Sequence, residues 1–282
     1  MSHVMTTLLT GASGGIGLEM SRLLAARGHR LVLASRSAQK LEDLAAHLRR
    51  DYGVEAHGCA IDLSERGAAE RLFDFTQTLN LPIDALVNNA GCGMLEEHVH
   101  ADPEILRHML QLNVVTLAEL CRLYGAQMKQ RRSGMILNVA STAAYQPAPY
   151  FAAYGASKSF VLNLSEALAK ELEDFGVRVS CLSPGPTDTG FFDGFDPQRT
   201  AGGHFLAMKR RSSVQAVAEA GVQLMFGGGL SQVVGFRNQA MIFANRFAPR
   251  ALVAAVSKSL LRPRDVEMRH PLFDENAEDK NV

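Results

Sequence analysis

Between Met5 and Ser183, short runs rich in Val, Ile and Leu alternate with longer stretches whose apolar residues recur every three or four positions. A short apolar run between turn formers fits a strand buried on both faces, and strands alternating with amphipathic helices predict βαβ units around a parallel sheet. The predicted strands cover residues 6–9, 30–34, 54–59, 85–87, 135–139 and 177–182, with a seventh at 232–234. Ile16, Met20, Leu23 and Leu24 mark one helical face, and Leu41, Leu44, Ala45 and Leu48 mark another. Two longer helical patterns, 102–131 and 154–175, run into breaks at Gly134 and Gly176. Beyond Gly185 the pattern weakens: 190–203 reads as loop, 214–226 as helix, and 236–261 as helical again with Pro249 and Pro263 as breakers. The expected fold class is α/β, a doubly wound parallel sheet of about seven strands with helices on both faces and a C-terminal helical extension.

Composition narrows this further. With 282 residues, 47% hydrophobic and 21% charged, the chain fits one α/β domain with an appendage, and whole-chain disorder, collagen and coiled coil are excluded. Lys plus Arg and Asp plus Glu total 29 each, which argues against a nucleic-acid partner held by bulk charge. Cys59, Cys92, Cys121 and Cys181 are widely spaced, with no C-x-x-C pair and no histidines at ligand spacing. They read as reduced thiols of a cytoplasmic protein, with no metal site. The N-terminus lacks a cationic segment followed by an apolar one, and no run of 18 apolar residues occurs. Neither a secretory signal nor a transmembrane span is expected. The zero charge is itself uneven: residues 1–196 carry 17 basic and 22 acidic side chains, 197–264 carry 10 and 1, and 265–282 carry 2 and 6.

The segment Thr10-Gly11-Ala12-Ser13-Gly14-Gly15-Ile16-Gly17 joins the first strand to the first helix. Glycines there let backbone N–H groups approach a pyrophosphate, and the helix N-terminus adds partial positive charge. Taken alone the cluster is better read as a tight strand-to-helix turn, because its spacing differs from G-x-G-x-x-G; the strand before it and the amphipathic helix after it give it weight. Where an acidic residue at the end of the second strand would select NAD, this chain has Ser35-Arg36. An arginine pairs with a 2′-phosphate, so NADP(H) is expected.

A second constellation follows. Tyr154 and Lys158 stand one helical turn apart, so an ammonium would neighbour a phenol and lower its pKa, making a general acid. Ser141 lies just past the strand 135–139, at the sheet edge where doubly wound folds bind ligands. Asn88-Asn89-Ala90-Gly91 closes the fourth strand at that edge, and Asn113 sits inside a helical pattern, where asparagine is locally unfavourable.

These residues, with Asp62-Leu63 and the run Ser183-Pro184-Gly185-Pro186-Thr187, make the chain closely resemble the short-chain dehydrogenase/reductase family over residues 5 to about 190. The resemblance implies a Rossmann-type domain over 1–235, with a substrate lid at 186–212, an amphipathic extension at 236–264 and an acidic tail at 265–282. It implies hydride transfer between nicotinamide and a carbonyl or secondary alcohol. Tyr154 would be the proton donor, Lys158 would tune it and bond the nicotinamide ribose, Ser141 would orient the carbonyl, and Asn113 would hold a water that resupplies protons. Gly11, Ser13, Gly14, Gly15, Ile16 and Gly17 would hold the pyrophosphate, and Ser35, Arg36, Asp62 and Leu63 the adenosine end. Asn88, Ala90 and Gly91 would line the ribose side, and Pro184, Gly185, Thr187 and Thr189 the nicotinamide end. The resemblance also implies a homodimer or homotetramer through the helices at 102–131 and 154–175. The chain departs from many NADP-preferring relatives in having Ala12 and Ser13, not a basic residue, inside the glycine turn. An intact Ser-Tyr-Lys-Asn set weighs against the alternative of a dinucleotide sensor without turnover.

The C-terminal third adds two expectations. Phe191, Phe192, Phe195 and Phe205 suggest an apolar lid. Over 238–261 apolar residues interleave with Arg246, Arg250 and Lys258, as in a basic amphipathic helix pair. Packing over the pocket or on a neighbouring subunit is the first reading, and weak membrane-surface contact is the second. Similarity to the branch of the family with an extended C-terminus implies a hydrophobic ketone or acyl-type substrate.

Overall fold

The computed structural model describes residues 4–189, 191 and 212–262. Seven parallel strands, β1 (Thr6–Thr10), β2 (Arg30–Ser35), β3 (Ala56–Ala60), β4 (Ala85–Asn88), β5 (Gly134–Val139), β6 (Val177–Ser183) and β7 (Ser231–Val233), form one sheet. Their order is β3-β2-β1-β4-β5-β6-β7. The order reverses between β1 and β4, and the crevice at the carboxyl ends of those strands is where such a sheet binds ligands.

Strand alternation divides the core in two. Leu8, Val32, Leu86 and Ile136 point into one cluster, with Leu72, Tyr124 and Val161. Their strand neighbours Leu9, Leu31, Leu33, Val87 and Leu137 point into the other, with Met20, Leu24, Leu41, Leu48, Val217 and Val222. Helices α1 (Gly15–Ala25), α2 (Ala38–Tyr52) and α7 (Val214–Gly227) cover the second face. Helices α3 (Ala68–Thr78), α5 (Leu117–Arg131) and α6 (Ala152–Leu172) cover the first. Every predicted strand is present, with ends shifted by one or two residues.

The pattern at 102–131 is more than one helix. Asp102 caps α4 (Pro103–Leu110) by accepting hydrogen bonds from the Glu104 and Ile105 amides. The segment Gln111–Thr116 is a π-helical turn before α5, and apolar periodicity passes through such a turn almost unchanged. The pattern at 154–175 is α6 plus one 3₁₀ turn, Glu173–Phe175, closed by Gly176 in the left-handed region at φ 68°. At the C-terminus, α8 (Phe236–Asn245) and α9 (Arg250–Leu261) are separated at Pro249. Of the phenylalanines of the expected lid only Phe191 lies within the described residues; Phe192, Phe195, Phe205 and the tail at 265–282 lie outside them.

Candidate active site

The glycine turn is built by close approach. Gly11 has φ 69°, and a side chain there would press on Asn89 and Ala90; a Cβ on Gly17 would overlap the Gly11 carbonyl. Thr10 Oγ1 accepts from the Asn89 and Ala90 amides at 3.1 and 3.0 Å, and Asn89 Nδ2 donates back to the Thr10 carbonyl at 3.0 Å. The turn and the loop after β4 are therefore one rigid unit. Gly14 precedes α1 with no side-chain cap, and a Cβ there would meet nothing within 4 Å. The first-turn amides of α1 thus open toward free space, as an anion site requires.

At the end of β2, Ser35 is buried and its hydroxyl has no partner, while Arg36 is exposed. Partial burial pushes the Asp62 carboxyl up, but hydrogen bonds from Ser64 and the nearby Arg36 charge outweigh it and hold the pKa below the ordinary value. Leu63 is buried, and its carbonyl accepts from Thr116 Oγ1 at 2.9 Å.

Ser141 begins a short turn after β5, its hydroxyl accepting from the Ala143 amide at 3.2 Å and lying near enough to the Tyr154 phenol to favour its ionised form. Tyr154 is in the first turn of α6, buried between Phe151 and Phe191 with ring centroids 4.3 and 5.6 Å away. Lys158, one turn on, is also buried and donates to the Val139 carbonyl at 2.9 Å. Its Nζ lies 5.8 Å from the tyrosine ring centre. Burial pushes the Tyr154 phenol up to about 12, against the effect of the Ser141 hydroxyl, and pushes Lys158 down to about 8. Desolvation is the largest influence on both groups, and the Lys158 ammonium is held by the Val139 carbonyl one helical turn from the phenol.

Asn113 lies in the π turn and is fully buried. Its Oδ1 accepts from the Cys92 amide at 3.1 Å, and its Nδ2 donates to the Cys92 carbonyl at 2.8 Å and to Ser157 Oγ at 3.2 Å. It ties the loop after β4 to α6. A Cβ on Gly91 would sit 3.2 Å from both Asn113 Oδ1 and Lys158 Nζ.

Residues 5–200 match the short chain dehydrogenase family. The chain belongs to that family. It is 38% identical over 197 residues to the uncharacterized oxidoreductase YmfI of Bacillus subtilis, covering 68% of this chain and 78% of that one. It is 33% identical over 183 residues to a very-long-chain 3-oxoacyl-CoA reductase of Anas platyrhynchos, covering 63% of this chain and 58% of that reductase. A solved short-chain dehydrogenase from Sphingobium yanoikuyae, in complex with NADPH, superposes with a TM-score of 0.77 at 28% identity, covering 95% of this chain and all of that one. The chain is thus a short-chain dehydrogenase, an oxidoreductase acting between CH–OH and C=O with a nicotinamide cofactor.

In this short-chain dehydrogenase most of the expected residues converge on one cleft of about 930 Å³, at the upper end of the usual range for a ligand site. It is lined by Gly11, Ser13, Gly14, Gly15 and Ile16 of the glycine turn, by Ala90, Gly91, Ser141, Tyr154 and Lys158, and by Pro184, Gly185, Thr187 and Thr189 after β6. Gly17, Ser35, Arg36, Asp62, Leu63 and Asn113 do not line it. Asn88 does not either: its Nδ2 donates to Asn138 Oδ1 at 2.8 Å and approaches Cys121 Sγ, inside the core. Its neighbour Asn89 is the lining residue, and strand alternation at the end of β4 could have distinguished them. Sequence reasoning also missed Leu95, Gln146 and Phe151, which line the cleft from loops without a recognisable pattern.

Helices α8 and α9 cover the cleft's open side with Asn238, Met241, Ser257, Leu260 and Leu261. Asn238 lies against Gly185, and Asn245 donates to the Gln146 side chain, anchoring α8 over the turn after Ser141. Cys59, Cys92, Cys121 and Cys181 are unpaired. Among the described residues, no three His, Cys, Asp or Glu side chains are grouped to hold a metal ion. No described helix is long and apolar enough to cross a membrane.

Proposed function

We propose that the protein is an NADP(H)-dependent oxidoreductase that interconverts hydrophobic ketones and the corresponding secondary alcohols. The observation that carries this reading is that the half-buried Ser141 hydroxyl and the buried Tyr154 phenol line one cleft together with Lys158, the glycine turn and a set of apolar side chains. The residues fit a dinucleotide: the Gly14 opening and uncapped α1 amides suit the pyrophosphate, and the exposed Arg36 at the end of β2 suits a 2′-phosphate. When bound, the reduced cofactor supplies the hydride for the carbonyl carbon.

Tyr154 Oη donates its proton to the carbonyl oxygen, and its raised pKa keeps that proton in place at neutral pH. Ser141 Oγ hydrogen-bonds the same oxygen and steadies the developing alkoxide. Lys158, held by Val139, places a positive charge one helical turn from the phenol. Asn113 is a positioning residue that fixes the Cys92 backbone and Ser157 around that lysine. Leu95, Phe151, Phe191, Met241, Leu260 and Leu261 give the substrate end its apolar character and exclude water from the proton transfer.

Nicotinamide absorbance, followed over a panel of aliphatic, aromatic and steroidal ketones, tests the proposal. NADPH consumption should be fastest with bulky apolar ketones. No consumption with any of them, in a protein that binds NADPH, would overturn it.

A further inference from the structure

Helices α8 and α9 are two-faced. Their inner side lines the cleft through Met241, Leu260 and Leu261, while Ile242, Val253 and Ser257 are the buried residues of the pair. Their outer side leaves Phe243, Phe247, Leu252 and Val256 in solvent, with Phe247 76% exposed and Phe243 59%. The Phe243 and Phe247 rings meet edge to face, 5.3 Å apart, so they form one apolar ridge. Met241 and Leu260 belong to both surfaces, since they line the cleft and are also exposed. The apolar patch is therefore continuous with the cleft mouth. Bulky apolar side chains grouped in this way on a monomer surface mark an interaction site.

Charge identifies the occupant. Residues 236–262 contain Arg237, Arg246, Arg250, Lys258 and Arg262 and no Asp or Glu. A second copy docked through the same face would bring cations against cations, with no carboxylate on either helix pair to relieve them. An anionic lipid surface meets both features: headgroups pair with the arginines and lysine, and the phenylalanines and leucine enter the acyl boundary. We propose that α8 and α9 dock the enzyme on anionic membrane surfaces, so that the cleft mouth opens at the lipid boundary and takes its apolar substrate from there. The uptake half of this inference rests on the proposed preference for hydrophobic ketones; the docking half does not.

Flotation of the full-length protein with phosphatidylcholine vesicles, with and without phosphatidylglycerol, tests the docking. The protein should bind vesicles containing phosphatidylglycerol at least about tenfold more than phosphatidylcholine alone, and added salt should weaken that binding. Phe243→Ser/Phe247→Ser/Leu252→Ser and Arg246→Glu/Arg250→Glu should each lose it, while both keep wild-type turnover of a water-soluble ketone, because none of these residues lines the cleft. Vesicle binding that is absent, or unchanged in both variants, overturns the proposal. So does a self-association seen by sedimentation velocity that the variants abolish without any vesicle binding in the wild type, since the face would then be a contact between copies. If vesicles bind but no ketone is reduced, docking stands and the reading of the active site fails; the converse result separates them the other way.

Discussion

Burial sets the two titrations that matter at the reacting end. Tyr154, at about 12, stays protonated across the physiological range, whereas Lys158, at about 8, loses its charge just above it. For Lys158 the folded value lies below the unfolded 10.5, so its charged form is the disfavoured one and deprotonates first as pH rises. The catalytic parameter kcat/KM for ketone reduction should therefore be level below about pH 8 and fall above it with the slope of a single proton. A pH profile that is flat to pH 10 would contradict this. In the proposed reading Arg36 pairs with the 2′-phosphate at the other end of the cofactor. Arg36→Ala should weaken NADPH binding by about ten- to a hundred-fold, the worth of one or two charge-assisted hydrogen bonds, and leave NADH binding unchanged. Calorimetric titration with both nucleotides reads the difference. These residue types were legible from the sequence because proton donors, a cation and a phosphate turn recur in an order that chance does not produce. Their protonation was not legible, since a pKa depends on what covers the group, and the Val139 carbonyl that occupies Lys158 is 19 positions away.

At the scale of elements, the turn between β1 and α1 depends on two glycines in different ways. A methyl at Gly17 would overlap the Gly11 carbonyl, which is backbone and cannot yield, whereas one at Gly14 meets open space. Gly17→Ala should cost about 1–3 kcal/mol of stability and disrupt NADPH binding. Gly14→Ala should melt with the wild type, and thermal unfolding of the pair distinguishes steric need from mere loop preference. Two features of this level escaped sequence reasoning. The π turn at Gln111–Thr116 leaves the apolar pattern intact, so its only trace was an asparagine out of place. Asn88 and Asn89 are chemically identical, and which one faces the cleft is settled by the register of β4 against β1 and β5.

On the scale of the whole molecule, the parallel sheet was readable because strands buried on both faces appear as continuous apolar runs, and the two core clusters divide them residue by residue. The role of the C-terminal helices was less readable. An amphipathic pattern records that one side is apolar, yet here both sides are: one over the cleft and one outward. That arrangement brings the glycine turn, the Ser141 and Tyr154 hydroxyls and apolar side chains of α8 and α9 around one cleft, and in the proposed reaction Tyr154 delivers the proton during ketone reduction by NADPH. The most direct test is single-turnover reduction of the best ketone by NADPH-loaded wild type and Tyr154→Phe. The variant should be slower by about 10²–10⁴-fold with NADPH affinity retained; reduction at the wild-type rate would mean that the proton comes from a group other than Tyr154.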